Sequence, residues 1–179
     1  MPPKLQSAAA NYDTASTLSG QAYERIKQDI ISGRLGPGTR LAIHDLRDTY
    51  SIGSSPLRES LNRLTGDGLV IALGQRGFRV VPVHLDDLRD VTRTRIVIES
   101  EALRQSIERG NDAWEADVVA AFHRLQKLET DRRERYHEWE ERNFAFHEAL
   151  VAACESAWLL RFRRLLHDQH RRYRHLCIQ

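Results

Sequence analysis

The sequence contains only two cysteines, Cys154 and Cys177, which is too few for a disulfide framework. It has no run of about 18 apolar residues, so no segment is predicted to span a membrane. Residues 1–20 are polar and rich in Ala, Ser and Thr, unlike a signal peptide. These absences predict a cytoplasmic protein with reduced thiols and no membrane partner.

A strong excess of one charge is also lacking, because the net charge is only +2 over 179 residues. The distribution along the chain is more informative. Residues 18–84 carry nine Lys or Arg against six Asp or Glu, residues 85–160 carry eleven against seventeen, and residues 161–179 carry six against one. We therefore expect the basic first part to attract a polyanion and the acidic middle to avoid it.

A short helix with clear end signals is predicted within residues 53–69. Leu57, Leu61 and Leu64 recur at helical spacing and form one apolar face. The end signals are a capping serine (Ser54 or Ser55), a proline suited to the first helical position (Pro56), and two glycines (Gly66, Gly68). The opposite face carries Ser55, Arg58, Ser60, Asn62 and Arg63. Because so short a helix is unstable alone, its apolar face must dock and its polar face is left for a partner.

The elements around this helix indicate what the partner is. A helix over residues 44–50 and a glycine-containing turn precede it, which is the helix-turn-helix pattern. Two strands, residues 69–73 and 78–83, follow it around a glycine-flanked turn and form a hairpin. A first helix capped by Ser19 and a short strand at Arg40 and Leu41 complete the block. We predict a winged helix-turn-helix, a fold that places its second helix in the DNA major groove.

This block resembles the DNA-binding domain of GntR-type transcriptional regulators. The matching residues are 31–38, Leu46, 55–61, Leu64, 68–70, Gly77 and Phe78. The chain after Leu85 resembles the all-helical effector domain of the FadR-like branch, the FCD type. The resemblance departs from the family at His44, where an arginine is frequent, and at residues 53–56, where many relatives carry Ser-Arg-Thr-Pro. The operator sequence is therefore not carried over.

Residues 85–179 show helical apolar stripes and no strand pattern, which predicts a helix bundle. Breaks fall at Gly110 and Asn111, with Asp112 as the next cap, and within residues 129–135. In the last helix the apolar stripe is Leu159, Phe162, Leu166, Tyr173 and Leu176, and arginines occupy the other side. The remaining histidines are expected at the surface: His123, His137, His167, His170 and His175.

The predicted fold class is mainly α, with an N-terminal winged helix-turn-helix followed by an antiparallel all-α bundle. The expected division is a disordered tail over residues 1–17, a DNA-binding domain over 18–84, and a helical effector-binding and dimerisation domain over 85–179. Because the family's effector domain normally continues with further helices, we expect this FCD-type domain to be incomplete and the chain to be C-terminally shortened.

The candidate DNA-binding residues lie on the predicted recognition helix and wing. They are His44, Ser54, Ser55, Arg58, Ser60, Arg63, Arg76, Gly77 and Arg79. Arg58 matches an arginine of the family's recognition helix, where it can pair bidentately with guanine O6 and N7. Arg76 and Arg79 flank Gly77 at the wing, where arginine can enter the minor groove. The alternative interpretation is a solvated helix face with ordinary charges.

Asn143 and His147 are a candidate partial metal site. Their i, i+4 spacing places both on one helical face, which is also the apolar one. In the resembled family these positions are the first two ligands of a divalent metal such as Zn, Ni or Mn, completed by later histidines. Because nothing after His147 matches those histidines, we expect metal binding in this chain to be weak or absent. The alternative is a core histidine bonded to a neighbour.

Arg95 is the candidate effector-binding residue. The segment of residues 95–99 resembles the family's Arg-x-x-Leu-Glu motif, and Arg95 lies on an inward stripe where an unpaired charge is costly. Its partner is either the carboxylate of a small metabolite or an internal acid such as Glu99 or Glu140.

Three classes of function follow from these residues. The favoured one is a sequence-specific transcriptional regulator, expected to be a repressor, which binds a palindromic double-stranded operator as a homodimer and senses a small carboxylate. The alternative is a helical interaction module or metal-binding protein without DNA specificity. The chain has no nucleophile–base signature, phosphate loop or zinc-hydrolase motif, so we predict that it is not an enzyme.

Overall fold

The computed structural model describes residues 17–129 and 134–178, and the chain forms two compact units. The first unit holds the described residues 17–88 together with the end of the last helix, residues 168–178. The second unit is Arg89–His167.

The described residues form seven α-helices and three short strands. The helices are α1 (Leu18–Ile31), α2 (Ile43–Tyr50), α3 (Ser54–Gly66), α4 (Leu85–Arg109), α5 (Asp112–Gln126), α6 (Tyr136–Leu150) and α7 (Ala157–Ile178). The strands are β1 (Arg40–Leu41), β2 (Val70–Ala72) and β3 (Phe78–Val80). The predicted fold class, mainly α with an N-terminal winged helix-turn-helix, is confirmed. No helix in the described part of the chain has the length and apolar character needed to cross a membrane.

The first helix, α1, is capped by Thr17, whose hydroxyl oxygen accepts a 3.0 Å hydrogen bond from the Gly20 amide. The prediction that Ser19 is the cap is wrong. An N-cap needs extended backbone, and Thr17 has it with ψ 154°, whereas Ser19 already lies in the helix and donates to Glu59. The rest of the predicted tail, residues 1–16, lies outside the described residues.

The turn between α2 and α3 depends on Ser51, which adopts the left-handed conformation with φ 56°. α3 starts at Ser54, with Gly53 as its N-cap and no side-chain cap. The prediction that Ser54 or Ser55 caps this helix is therefore wrong. Pro56 lies at the third helical position rather than the first, where its missing N–H still has no intrahelical acceptor to lose.

The last turn of α3 leads through a glycine into a small sheet. Gly68 adopts φ +71°, which allows the Leu69 amide to donate to the Leu64 carbonyl at 3.0 Å. The three strands pair antiparallel in the order β1-β3-β2, and Val70 lies opposite Val80. The β2–β3 hairpin is the predicted wing, although its strands of three residues each are shorter than the pattern suggested.

One continuous apolar core fixes the helix-turn-helix and the wing in the first unit. It contains Ala22, Ile26, Ile30, Leu41, Leu46, Tyr50, Ile52, Leu57, Leu61, Leu64, Leu69, Val70, Phe78 and Val80. Leu57, Leu61 and Leu64 are fully buried, as their spacing predicts. Burying such side chains stabilises by about 1.5–3 kcal/mol each, so α3 is held by its apolar face.

The second unit is helical and has smaller cores. One joins Ala102 to Val151 and Cys154, and another joins Leu125 and Leu128 to Trp139. α5 is capped by Asn111, whose side-chain oxygen accepts from the Trp114 amide at 3.0 Å. The predicted cap, Asp112, is wrong because Asp112 is already the first helical residue.

The orientation of α7 differs most from the sequence expectation. Arg163 and Arg172 are each only 1% exposed and His167 is 4% exposed, whereas Phe162 of the predicted apolar stripe is 47% exposed. The prediction that His167 lies at the surface is therefore wrong. The buried arginines find acceptors that come from other elements, Glu148 for Arg163 and a main-chain carbonyl for Arg172.

Candidate nucleic-acid interface

The outer side of α3 presents a polar surface anchored by its buried leucines. Ser55, Arg58 and Asn62 are exposed, and Ser54 is half-buried in the first turn. The Arg58 side chain makes no hydrogen bond or ion pair with any described residue, so its guanidinium is free to bind a partner. Because α3 has no side-chain cap, its first amides are also available to a phosphate oxygen.

Two predicted DNA-contacting residues of α3 have partners within the protein. Ser60 is fully buried and its hydroxyl donates to the Leu57 carbonyl at 2.8 Å, so its placement on the polar face is wrong. The reason is that position 60 lies beside the arc of Leu57, Leu61 and Leu64, so the buried side of α3 is wider than these leucines alone mark. Arg63 is half-buried, and its guanidinium lies 4.1 Å from the ring centroid of Tyr23.

The wing carries a second set of exposed cations. Arg76 and Arg79 are both exposed beside Gly77, whose φ of 92° needs a residue without a side chain. Arg40 lies directly opposite Arg79 across the β1–β3 pair, and its guanidinium donates to the Arg76 carbonyl at 3.4 Å. Arg40 was not among the residues expected from the sequence, because only the pairing of a two-residue strand brings it to the wing.

The start of the helix-turn-helix adds two more side chains. His44 is exposed, and its Nδ1 lies 2.5 Å from a carboxylate oxygen of Asp45. Arg47 is exposed on α2, and its side chain has no hydrogen bond or ion pair with the described chain. Arg47 was not expected from the sequence either, although the outward polar side of α2 is a signal that points to it.

Behind this surface, a network of polar side chains connects α2 and the end of α3 to α1. The Tyr50 hydroxyl donates to Asp29 of α1 at 2.5 Å, and Arg25 donates to the Tyr50 carbonyl at 3.0 Å while stacking on its ring. At the other end of α3, the Tyr23 hydroxyl donates to Asp67 at 2.6 Å. Burial and the hydrogen bonds to these carboxylates raise the pKa of both tyrosines well above the usual value.

In the second unit, Arg95 is paired within its own helix. Its Nε donates to Glu99 Oε1 at 2.8 Å, and its Nη2 lies 2.7 Å from the same oxygen. The two side chains are 18% and 22% exposed. Of the alternatives left open by the sequence, the internal acid Glu99 is therefore the partner found in this structure.

Asn143 and His147 lie on α6 and are both half-buried. The His147 ring contacts Phe146, while the buried His167 ring contacts Phe144 with centroids 4.8 Å apart. Over residues 17–129 and 134–178, no group of three or more His, Cys, Asp or Glu side chains is arranged to hold a metal ion. Two ligands do not make a tight site, so the residues present do not fit a bound metal and we derive no role for one.

Each of the two units matches a known protein family or domain. Residues 18–80 match the family described as bacterial regulatory proteins, gntR family, and residues 90–179 match the FCD domain. The chain belongs to the GntR family. The predicted resemblance to GntR regulators with an FCD-type domain is thereby confirmed.

Two relatives of this GntR protein align over most of its length. It is 46% identical over 164 residues to BphR of Paraburkholderia xenovorans (strain LB400), an uncharacterized HTH-type transcriptional regulator, covering 89% of this chain and 67% of that protein. It is 39% identical over 168 residues to GlaR of Escherichia coli (strain K12), an HTH-type transcriptional repressor, covering 93% and 76%. Both are named as regulators rather than enzymes.

Two solved structures share the fold. Escherichia coli McbR/YncC superimposes with a TM-score of 0.69 at 23% identity, covering 88% of this chain and 76% of that one. A GntR-type regulator from Rhodococcus sp. RHA1 superimposes with a TM-score of 0.67 at 21% identity, covering 88% and 74%. At these identities the likeness establishes the architecture of the GntR protein and nothing about its operator or ligand.

Proposed function

We propose that this GntR protein is a repressor that binds a palindromic operator as a homodimer and releases it in response to a small carboxylate. The observation that carries DNA binding is Arg58, exposed and without a partner on the outer side of α3. A guanidinium held there can reach guanine O6 and N7 in the major groove. The relative GlaR is named as a repressor, which supports the direction of regulation.

The wing supports the same proposal. Arg40, Arg76 and Arg79 are exposed around one short hairpin, where they can contact phosphates or enter a narrow minor groove. Contacts of this kind position a protein on the duplex, while Arg58 supplies base choice. Ser55, Ser54, His44 and Gly77 remain candidates for phosphate or base contacts, whereas Ser60 is excluded by its burial.

The proposed dimer rests on symmetry and on exposed apolar side chains. One winged helix-turn-helix reads a single half-site, so a palindrome calls for two copies related by a two-fold axis. In the second unit several large apolar side chains are about half exposed or more: Ile96, Val97, Ile107, Val119, Phe122, Trp158 and Phe162. Apolar surface of this kind favours pairing with another chain.

The experiment that tests DNA binding is selection of duplexes from a randomised library by the intact chain, followed by titrations over a salt series. We expect a palindromic sequence to be enriched and its affinity to fall steeply with salt through counterion release. Random duplexes of equal length serve as the control. Enrichment of no sequence at low salt would rule out a sequence-specific regulator.

For the effector we propose that a carboxylate displaces Glu99 from Arg95. Both side chains are about four-fifths buried, so the ion pair is largely desolvated and the carboxylate of an incoming acid can take the place of Glu99. Glu99→Gln should then strengthen binding of short-chain mono- and dicarboxylic acids, and Arg95→Met should abolish it. The measurement is the shift in melting temperature with each acid. No shift for the intact chain and for Glu99→Gln would leave Arg95 as a structural residue.

A further inference from the structure

The last helix ends inside the DNA-binding unit. α7 starts at Ala157 in the second unit, but from Asp168 onward its residues pack with the helix-turn-helix. The FCD match runs to residue 179, so this segment is assigned by sequence to the helical domain. The end of α7 therefore belongs to the helical domain by sequence but packs in the DNA-binding unit.

Gln169 holds the C-terminal end of α3. Its side chain is 7% exposed, and its Nε2 donates to the main-chain carbonyl of Asp67 at 2.7 Å. Asp67 is the residue directly after α3, and its carboxylate accepts from Tyr23 of α1. A Cβ at Gly68 would lie only 3.3 Å from Gln169 Nε2, so α7 approaches this turn closely. Asp67, at the end of α3, is thus bonded to α1 through its carboxylate and to α7 through its main-chain carbonyl.

Arg172 holds the end of the wing in the same way. Its Nη1 donates to the Val81 carbonyl at 3.3 Å, and Val81 directly follows β3. The Val81 amide in turn donates to the Leu69 carbonyl at 3.1 Å, beside the start of β2. An ion pair at 2.5 Å between Lys27 of α1 and Asp168 adds a third contact of α7 in this unit.

We propose that Gln169 and Arg172 are positioning residues for DNA recognition, since together they set the distance and angle between α3 and the wing. Neither side chain is exposed, so neither is a candidate DNA contact. Both act on main-chain carbonyls, so the positions of α3 and of the wing depend on where α7 lies. The inference rests on the proposed DNA binding and adds the residues that orient its surface.

The test compares three variants of the full chain. Gln169→Met removes the donor while keeping a similar length and charge. Arg172→Met removes the donor at the wing together with one buried positive charge. Gln126→Met is the matched control, because Gln126 is exposed at the end of α5 in the second unit. Each is titrated with the duplex that the intact chain selects from a randomised library and with a random duplex of equal length. Affinities are corrected for the folded fraction measured by thermal unfolding.

We expect Gln169→Met to weaken binding of the selected duplex by about tenfold, the equivalent of one buried hydrogen bond, and to change binding of the random duplex by less than about twofold. Arg172→Met should behave alike, and Gln126→Met should match the intact chain. Equal losses on both duplexes, or no loss on the selected one, would overturn the inference. If Gln169→Met does not fold, Gln169→Leu, which is also uncharged and lacks the donor, replaces it under the same criteria.

Amide hydrogen exchange without DNA separates this inference from the proposed function. In Gln169→Met we expect faster exchange at residues 67–69, with α2 unchanged. Should the intact chain select no duplex, the proposed function fails, but faster exchange confined to residues 67–69 would still support Gln169 as the residue that positions α3. Unchanged exchange there would overturn the inference in either case.

Discussion

Arg58 presents an exposed guanidinium from a helix that is held firmly in place, because the leucines on the other side of α3 are fully buried. We predict that Arg58→Ala costs about 1–3 kcal/mol of binding to the selected duplex and relaxes base choice at one position per half-site. The measurement is titration against duplexes with single base-pair substitutions. Arg93→Ala, an exposed arginine of α4 without a partner among the described residues, is the control.

Arg79→Ala on the wing provides a contrast to Arg58→Ala. A phosphate contact carries no sequence information, so its loss should weaken all duplexes about equally and lower the salt slope by about one. Equal losses for Arg58→Ala on selected and random duplexes would show that Arg58 also binds only phosphate.

Tyr50 joins α2 to α1 through Asp29, and this pair predicts how stability depends on pH. Burial is the main cause that raises the pKa of Tyr50 in the folded state, followed by the hydrogen bond to Asp29. The folded state therefore holds the phenolic proton more tightly than the unfolded state, whose tyrosines titrate near pH 10. The stabilisation is complete below that pH and is lost as the pH rises above it.

We therefore predict that the free energy of unfolding falls above about pH 10 and that Tyr50→Phe reduces the slope. At neutral pH the same variant should cost about 1.5–3 kcal/mol, since the lost hydrogen bond is to a charged acceptor. Urea unfolding at several pH values measures both effects. Part of the slope should persist, because burial also raises the pKa of Tyr23 and Tyr173. An unchanged slope in Tyr50→Phe would contradict the prediction.

At the scale of elements, α7 contains two adjacent arginines that approach the same acid in different environments. Arg163 is 1% exposed and pairs with Glu148, while Arg164 is 64% exposed with its Nε 3.8 Å from Glu148. We predict that Arg163→Ala costs about 2–5 kcal/mol, because it empties the space of a side chain that is 1% exposed and also removes the ion pair with Glu148. Arg164→Ala should cost less than about 1 kcal/mol. Thermal unfolding of both variants tests this, and equal costs would contradict it.

At the scale of the whole molecule, we expect the protein to bind divalent metal only weakly. Asn143 supplies a neutral oxygen and His147 one nitrogen, whereas tight zinc sites use three or four protein ligands. We predict substoichiometric zinc, nickel or manganese by elemental analysis after purification without chelator. His167 is buried beside Phe144 and does not face outward as its sequence position suggested. Near-stoichiometric metal that disappears in His147→Ala would contradict the prediction.

Much of the candidate surface could be predicted from the sequence because its signals are local. The leucine spacing of α3, the glycine turn at Gly68 and the glycine of the wing are all set by backbone geometry within a few residues. They identified Arg58 and the two wing arginines. The contribution of Arg40 depends on its pairing with Arg79, and a two-residue strand carries too little pattern to predict that register.

The sequence by itself therefore determined which segments form helices, where most of them end, and that the chain is a winged helix-turn-helix followed by a helical FCD domain. Only the tertiary structure decided which side of a helix is buried when leucines and arginines occupy both sides. Ser60 is buried because the arc of α3 facing the core is wider than its leucines alone suggest. Arg163 and Arg172 are buried because Glu148 and the Val81 carbonyl lie where they can pair with them. Those acceptors belong to elements that are distant in sequence, so no local pattern can encode the pairing.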